Sequence, residues 1–177
     1  MPRPAVTLTA GELPHTRLFG SDQNVPTLQQ VAERVRGRVP LLVELKRSRG
    51  SSPQILVNAV LETLRQHKGE YALSSFDPVL VGKTRAARPK FPVGQISGLL
   101  RTANPLDRFV GRSMVSNFIT HPDFISYELA GLPSRIVAMW RSHGLAVLAW
   151  PVTSPEDERK ALKHADNIIF SDFLPRI

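Results

Sequence analysis

The chain has 177 residues, no cysteine and a formal net charge of +8, and 42% of its residues are hydrophobic. This length and composition predict one globular domain over residues 1–177 and exclude a disordered chain. Disulfides and thiolate metal sites are excluded because there is no cysteine. No apolar run reaches the roughly 18 residues of a membrane span, and no secretory signal is visible, so we expect a cytoplasmic protein without a membrane span.

The positive charge is spread along the chain. Arginine and lysine occur in small groups within 34–38, 46–49 and 83–90, and none of these groups contains an aromatic residue. A nucleic-acid surface usually combines a compact basic patch with aromatic residues that stack on bases. The pattern therefore argues against a nucleic-acid partner. The positive charge then reflects either a substrate that carries a phosphate group or simply a basic proteome.

The first predicted helix begins after Thr27. Gln30 follows three positions later, which is the spacing of a capping box. Apolar residues then recur at helical intervals as far as Val35, and Gly37 ends the helix. Residues 39–45 form a short apolar run that predicts the first strand.

From this point strands and helices alternate. Strands are predicted at 39–45, 71–76, 92–96, 115–120, 145–150 and 167–170. Helices are predicted after Ser52, after Asp77, within 104–114, after Leu132 and after Ser154. Six strands separated by helical segments predict a parallel sheet, either doubly wound or part of a (β/α)8 barrel. No glycine-rich phosphate loop follows a strand, which disfavours a nucleotide-binding doubly wound fold, but a complete barrel usually needs about 250 residues.

The first predicted strand ends in a pair of opposite charges. Residues 39–46 read VPLLVELK, so an apolar run ends in Glu44 and, two positions on, Lys46. Side chains two positions apart on a strand share a face. The carboxyl end of a parallel barrel strand is where active-site residues lie, so the pair is either a site or a structural ion pair.

Five segments together resemble the glycerophosphodiester phosphodiesterase family. In order, they resemble the family's "IPTLEEV", "vPLniEiK", "SSFdp", "rGl.v..WTVN" and "dgIiTDyP" motifs. In this chain they are VPTLQQV at 25–31, VPLLVELK at 39–46, SSFDP at 74–78, HGLAVLAWPVT at 143–153 and DNIIFSDFLP at 166–175. Each motif is weak alone, but the set occurs in the family's order and covers about residues 25–175.

The resemblance implies a TIM barrel and a Mg²⁺- or Ca²⁺-dependent hydrolase. The family cleaves glycerophosphodiesters to glycerol 3-phosphate and an alcohol, a reaction of phospholipid metabolism. Glu44 matches the family's metal-binding glutamate, and Lys46 matches the catalytic lysine that faces the phosphate. Phe76 and Trp150 match aromatic positions on the glycerol side of the substrate pocket.

The family's "HRG", "ElD" and "HD" motifs have no counterpart in the chain. They supply the acid–base histidines and further metal carboxylates, so the resemblance implies an N-terminally incomplete barrel with about six of eight β/α units. We therefore expect weak or no hydrolysis, and the alternative is an inactive remnant or a phosphate-binding module. Such a sheet would leave unpaired edges at 39–45 and 167–170, through which self-association is expected.

His121 is the one histidine that the pattern places near the site. It follows the predicted strand 115–120 and precedes Pro122. If that strand is correct, His121 lies at the active-site end of the sheet and could contact the substrate.

Overall fold

The structure is a computed structural model. It describes residues 7–9, 11–18, 20–48, 50–87, 90–101 and 105–176. Internal contacts divide the chain into two compact units: residues 1–41 with 47–70, and residues 42–46 with 71–177. The second unit holds nearly all of the sheet.

The first unit contains two α-helices and a short 3-10 turn. Helix α1 spans Leu28–Val35, α2 spans Pro53–Leu64, and the turn is Leu13–His15. The predicted capping box is confirmed. The Gln30 amide donates to Thr27 Oγ1 over 3.2 Å, and the Thr27 amide donates to Gln30 Oε1 over 2.8 Å. These bonds satisfy two backbone donors that a helix start otherwise leaves unpaired.

The sheet has six parallel strands in sequential order, β1 to β6. Their bounds are β1 Leu41–Glu44, β2 Tyr71–Ser75, β3 Val93–Ser97, β4 Phe124–Glu128, β5 Ala146–Val152 and β6 Asn167–Phe170. The remaining helices are α3 Pro78–Ala86, α4 Pro105–Ser113, α5 Asn117–Thr120, α6 Arg135–Ser142 and α7 Pro155–Ala161. Sequential parallel order with intervening helices is the arrangement that the alternating sequence pattern predicts for a barrel. Strands β1 and β6 are the two ends of this order, as expected.

The strand register assigns side chains to two faces. Tyr127 pairs with Ala149, and both belong to the hydrophobic core that the sheet shares with Trp140 of α6. The next register pair, Glu128 with Trp150, therefore points to the opposite face. We call this second face the inner face of the sheet, since the core under the helices lies on the other side.

The predicted strand at 115–120 is wrong. The segment instead forms the short helix α5, in which the Thr120 amide donates to the Ser116 carbonyl over 2.8 Å. The fourth strand is β4, which the sequence analysis missed. β-Branched and aromatic residues, of which 115–120 contains four, are typical of a strand, but here tertiary contacts override that local preference.

An aspartate ties the starts of β5 and β6 together. Asp166 Oδ2 accepts the Val147 amide over 2.8 Å, and Oδ1 accepts two bonds from Arg141 on α6, at 2.7 and 3.0 Å. Partial burial tends to raise the pKa of Asp166, but the bonds from Arg141 and Val147 outweigh it, so the pKa lies below its usual value. Asp123 makes the matching contacts with Val93 and Arg85 at the start of β4.

Within the described residues, no helix combines the length and apolar character that crossing a membrane requires.

Candidate active site

Glu44 and Lys46 form the ion pair that their spacing predicts. Lys46 Nζ lies 3.4 Å from Glu44 Oε2, and the lysine side chain is largely exposed. Leu45 lies between them, and both its backbone amide and its backbone carbonyl bond to residues of β2. The Leu45 amide donates to the Ser74 carbonyl over 2.7 Å, and the Ser75 hydroxyl donates to the Leu45 carbonyl over 2.7 Å. The Leu45 side chain is buried, and side chains alternate along extended backbone, so Glu44 and Lys46 point to the face opposite Leu45.

Phe76 and Trp150 are brought together by the fold. Their rings meet edge to face, with centroids 5.5 Å apart. Phe76 follows β2 and Trp150 lies in β5, so two strands separate them. In a flat sheet, strands three steps apart are about 14 Å from each other. The contact therefore requires the sheet to curl around its inner face, as a barrel wall does.

Gln95 fixes the end of the strand from which Phe76 follows. It is buried in β3, and its Nε2 lies 3.1 Å from the Ser75 carbonyl and 3.1 Å from the Phe76 carbonyl. A side-chain amide can satisfy strand-end carbonyls that have no ladder partner. This holds the backbone of Phe76, so the position of its ring is set by the sheet rather than by a loose loop.

Glu128 is a carboxylate beside Trp150 that the sequence analysis did not single out. It ends β4 on the inner face, in register with Trp150, and its Oε2 accepts the Leu99 amide over 2.7 Å. Gly98 makes room for it, because a Cβ on Gly98 would collide with the Glu128 side chain. The signal was available in the sequence: like β1, the FISYE segment is a strand that ends in glutamate.

The structure removes the reason for expecting His121 in the pocket. His121 follows helix α5 with a left-handed backbone (φ 45°) and lies three residues before β4 begins. It is therefore near the amino end of a strand, whereas barrel active sites lie at the carboxyl ends. The expectation depended on a strand at 115–120, and the structure has the helix α5 in that segment instead.

The described residues do not by themselves fit a divalent metal. Hard cations such as Mg²⁺ and Ca²⁺ take several oxygen ligands. Within the described ranges, no group of three or more histidine, aspartate or glutamate side chains is placed to hold an ion. Glu44 could supply one carboxylate ligand, and that carboxylate is already paired with Lys46.

Comparison with solved structures shows what this fold resembles. A structure from Silicibacter pomeroyi, assigned as a glycerophosphoryl diester phosphodiesterase, superposes with a TM-score of 0.70 and 27% identity over 83% of this chain and 53% of that one. The fold is that of the glycerophosphodiester phosphodiesterases. The family resemblance in the sequence and the partial TIM barrel that it implies are therefore confirmed.

Two further solved structures show the same fold at lower identity. The enzyme from Parabacteroides distasonis matches at 19% identity and a TM-score of 0.72, over 92% of this chain and 66% of that one. A phosphodiesterase from Oleispira antarctica, in complex with its product sn-glycerol-3-phosphate, matches at 18% identity and a TM-score of 0.66, over 83% and 57%. This chain thus spans between about half and two thirds of these structures. No family model and no curated protein sequence matches it.

Proposed function

We propose that the chain carries part of a glycerophosphodiester phosphodiesterase site, whose reaction adds water to a glycerophosphodiester and yields glycerol 3-phosphate and an alcohol. The observation that carries the proposal is the Glu44–Lys46 pair at the carboxyl end of β1, in a fold shared with a phosphodiesterase structure at 27% identity. An ammonium group at that position can neutralise the charge of a phosphoryl oxygen.

In this proposal the substrate lies on the inner face. Lys46 binds the phosphate as the catalytic cation, while Phe76 and Trp150 pack against the glycerol carbons. The edge-to-face contact of the two rings presents a fixed apolar surface, and glycerol offers both carbon atoms and hydroxyls to such a surface. Glu128 is in register with Trp150, and its carboxylate could accept a hydrogen bond from a glycerol hydroxyl.

Metal dependence is a separate part of the proposal. We infer that Glu44 contributes one oxygen ligand to a Mg²⁺ or Ca²⁺ ion whose remaining ligands are water, substrate or residues outside the described set. When bound, such an ion would polarise the phosphoryl group.

A second candidate is phosphate binding without hydrolysis. It is favoured by the same absence of a three-ligand group among the described residues, and by the position of His121 near the amino end of β4. General acid–base catalysis contributes about 10²–10⁴ in rate, so a site without an acid and a base would bind far better than it turns over.

One experiment separates the two candidates. The purified chain is incubated with glycerophosphocholine and Mg²⁺ or Ca²⁺, release of glycerol 3-phosphate is followed by a coupled enzyme assay, and binding of glycerol 3-phosphate is measured by calorimetry. Metal-dependent release that Lys46→Met abolishes supports the hydrolase. Binding without release supports the phosphate-binding module. If glycerol 3-phosphate does not bind at all, both candidates are wrong.

A further inference from the structure

A cavity with a basic lining lies at the carboxyl edge of the sheet, on the side of the helices. Its volume is about 640 Å³, which is within the range of roughly 300–1,000 Å³ that small-molecule sites occupy. The loop after β3, the end of β4, helix α4 and the start of α6 form its wall. Tyr127 lines the cavity and belongs to the core under the helices, whereas Glu128, the next residue, points to the inner face. The cavity is therefore separate from the proposed phosphodiesterase site.

Three arginines supply the charges of this lining: Arg108 and Arg112 from α4, and Arg135 from α6. None of the described side chains in the lining is acidic. Arg108 is held in place, because its side chain donates to the Leu100 carbonyl over 3.3 Å and to the Arg101 carbonyl over 2.6 Å. Arg112 and Arg135 form no ion pair with any described residue. Two guanidinium groups at the cavity therefore lack a counter-charge within the described chain.

Folding alone gives no reason to collect these charges. Like charges around one cavity repel each other, and Arg135 adds a positive charge to the first turn of α6, where the helix dipole is already positive. Elsewhere in the helical layer, arginines are neutralised: Arg85 pairs with Asp123 at 2.9 Å, and Arg141 pairs with Asp166 at 2.7 Å. A cleft lined by charges of one sign attracts counter-ions, so the cavity is suited to an anion from outside the chain.

The rest of the lining is mainly apolar and narrows the kind of anion. Phe109, which is 68% exposed, lines the cavity together with Pro133 and Ile136. An inorganic ion would leave this apolar surface in water, whereas an organic anion would cover it. A phosphate monoester carries about −1.5 to −2 charge at pH 7, and its oxygens match the paired donors of guanidinium groups. Several arginines therefore favour a phosphate over a single carboxylate.

We propose that this cavity binds a small organic phosphate monoester. Arg112 and Arg135 hold the phosphate group, and the organic part packs against Phe109 and Ile136. The site is distinct from the inner face, where Lys46 is proposed to bind the phosphate of a phosphodiester. It does not depend on whether the chain hydrolyses phosphodiesters.

The test is calorimetry with phenyl phosphate as the probe. We expect saturable binding to the full chain. Inorganic phosphate and benzoate should each bind at least about tenfold more weakly, because the first lacks the organic part and the second lacks the phosphate. Arg112→Gln and Arg135→Gln should each weaken binding of phenyl phosphate about tenfold. Binding should persist in Lys46→Met, which removes the cation of the inner face.

The matched control is Arg159→Gln, which changes an exposed arginine of α7 outside the cavity. It should bind phenyl phosphate like the parent chain, and circular dichroism should show all variants folded. A second measurement needs no variant. Phenylglyoxal modifies accessible arginines, and phenyl phosphate should protect Arg112 and Arg135 from it, but not Arg159, when the modified peptides are mapped by mass spectrometry.

Several outcomes would overturn the proposal. They are no saturable binding of phenyl phosphate, equally tight binding of benzoate or inorganic phosphate, and equal losses from Arg159→Gln and Arg112→Gln. Loss of binding in Lys46→Met would overturn it as well, since the probe would then lie on the inner face. So would the absence of protection of Arg112 and Arg135 from phenylglyoxal.

Discussion

Phe76 and Trp150 touch across the inner face of the sheet, with ring centroids 5.5 Å apart, although two strands separate β2 from β5. The contact exists only because the sheet curls. It joins two residues that the family resemblance assigns to one pocket, and it places them on the face toward which Glu44 and Lys46 also project. The position of the proposed glycerol subsite is therefore a consequence of barrel curvature.

Replacing Trp150 tests that subsite. Trp150→Ala should weaken glycerol 3-phosphate binding about tenfold, because one of the two packing rings is lost. The control is Phe91→Leu, which changes the Tyr71–Phe91 ring contact (4.4 Å between centroids) at the opposite ends of the strands. Calorimetry on both variants checks the prediction. If Phe91→Leu weakens binding as much as Trp150→Ala, the effect is one of stability and not of the subsite.

Lys46 should contribute to binding through its charge. Lys46→Met should weaken glycerol 3-phosphate binding by about tenfold or more, since a bond from a charged donor is worth roughly 1.5–3 kcal/mol. Raising the ionic strength should shrink this difference. The control is Lys160→Met, since Lys160 forms another exposed ion pair, with Glu156 at 3.0 Å on α7. Equal binding by Lys46→Met and the parent chain would remove Lys46 from the site.

Gly98 should be intolerant of a side chain. Gly98→Ala should lower the free energy of unfolding by about 1–3 kcal/mol, because its Cβ would collide with Glu128. Gly11→Ala is the control, since nothing lies within 4 Å of a Cβ at that position. Urea denaturation of the two variants provides the measurement. A neutral Gly98→Ala would show that the Glu128 side chain does not lie over Gly98 in solution.

Asp166 should give part of the fold a pH dependence. Its pKa is lowered in the folded state, so the stabilisation it provides is complete above its unfolded value of 3.8 and disappears as the pH falls through the lower folded value. At pH 7, Asp166→Asn should cost about 1 kcal/mol, a small value because the pair with Arg141 is two-fifths exposed. Urea denaturation of parent and variant between pH 2 and pH 7 should show the difference shrinking only below about pH 3.8. A difference that grew on acidification would contradict the lowered pKa.

Much of the fold is predictable from local sequence signals. The capping box at Thr27, the side-chain cap of Ser52 on α2 and the cap of Asp77 on α3 all form as the sequence predicts. Each depends on residues within three positions of one another, which is why a single sequence suffices to find it.

Non-local contacts account for the main error. The start of β4 is set by Asp123, which binds the Val93 amide thirty residues away. No local sequence pattern indicates that bond. The β-branched and aromatic residues at 115–120 therefore predict the fourth strand in the wrong place, and Glu128 is not recognised as a strand end. The site was likewise predicted in part: the Glu44–Lys46 pair follows from strand periodicity, whereas the place of Glu128 depends on a register that only the folded sheet defines.

The central claim is that glycerol 3-phosphate binds on the inner face beside Trp150. The chain has two tryptophans, so its ¹H–¹⁵N spectrum contains two indole signals, and Trp140→Phe assigns them. Adding glycerol 3-phosphate should shift the Trp150 indole signal saturably and leave that of Trp140, in the core under α6, in place. Lys46→Met should suppress the shift. If neither indole signal moves, or if both move alike, the proposed site is wrong.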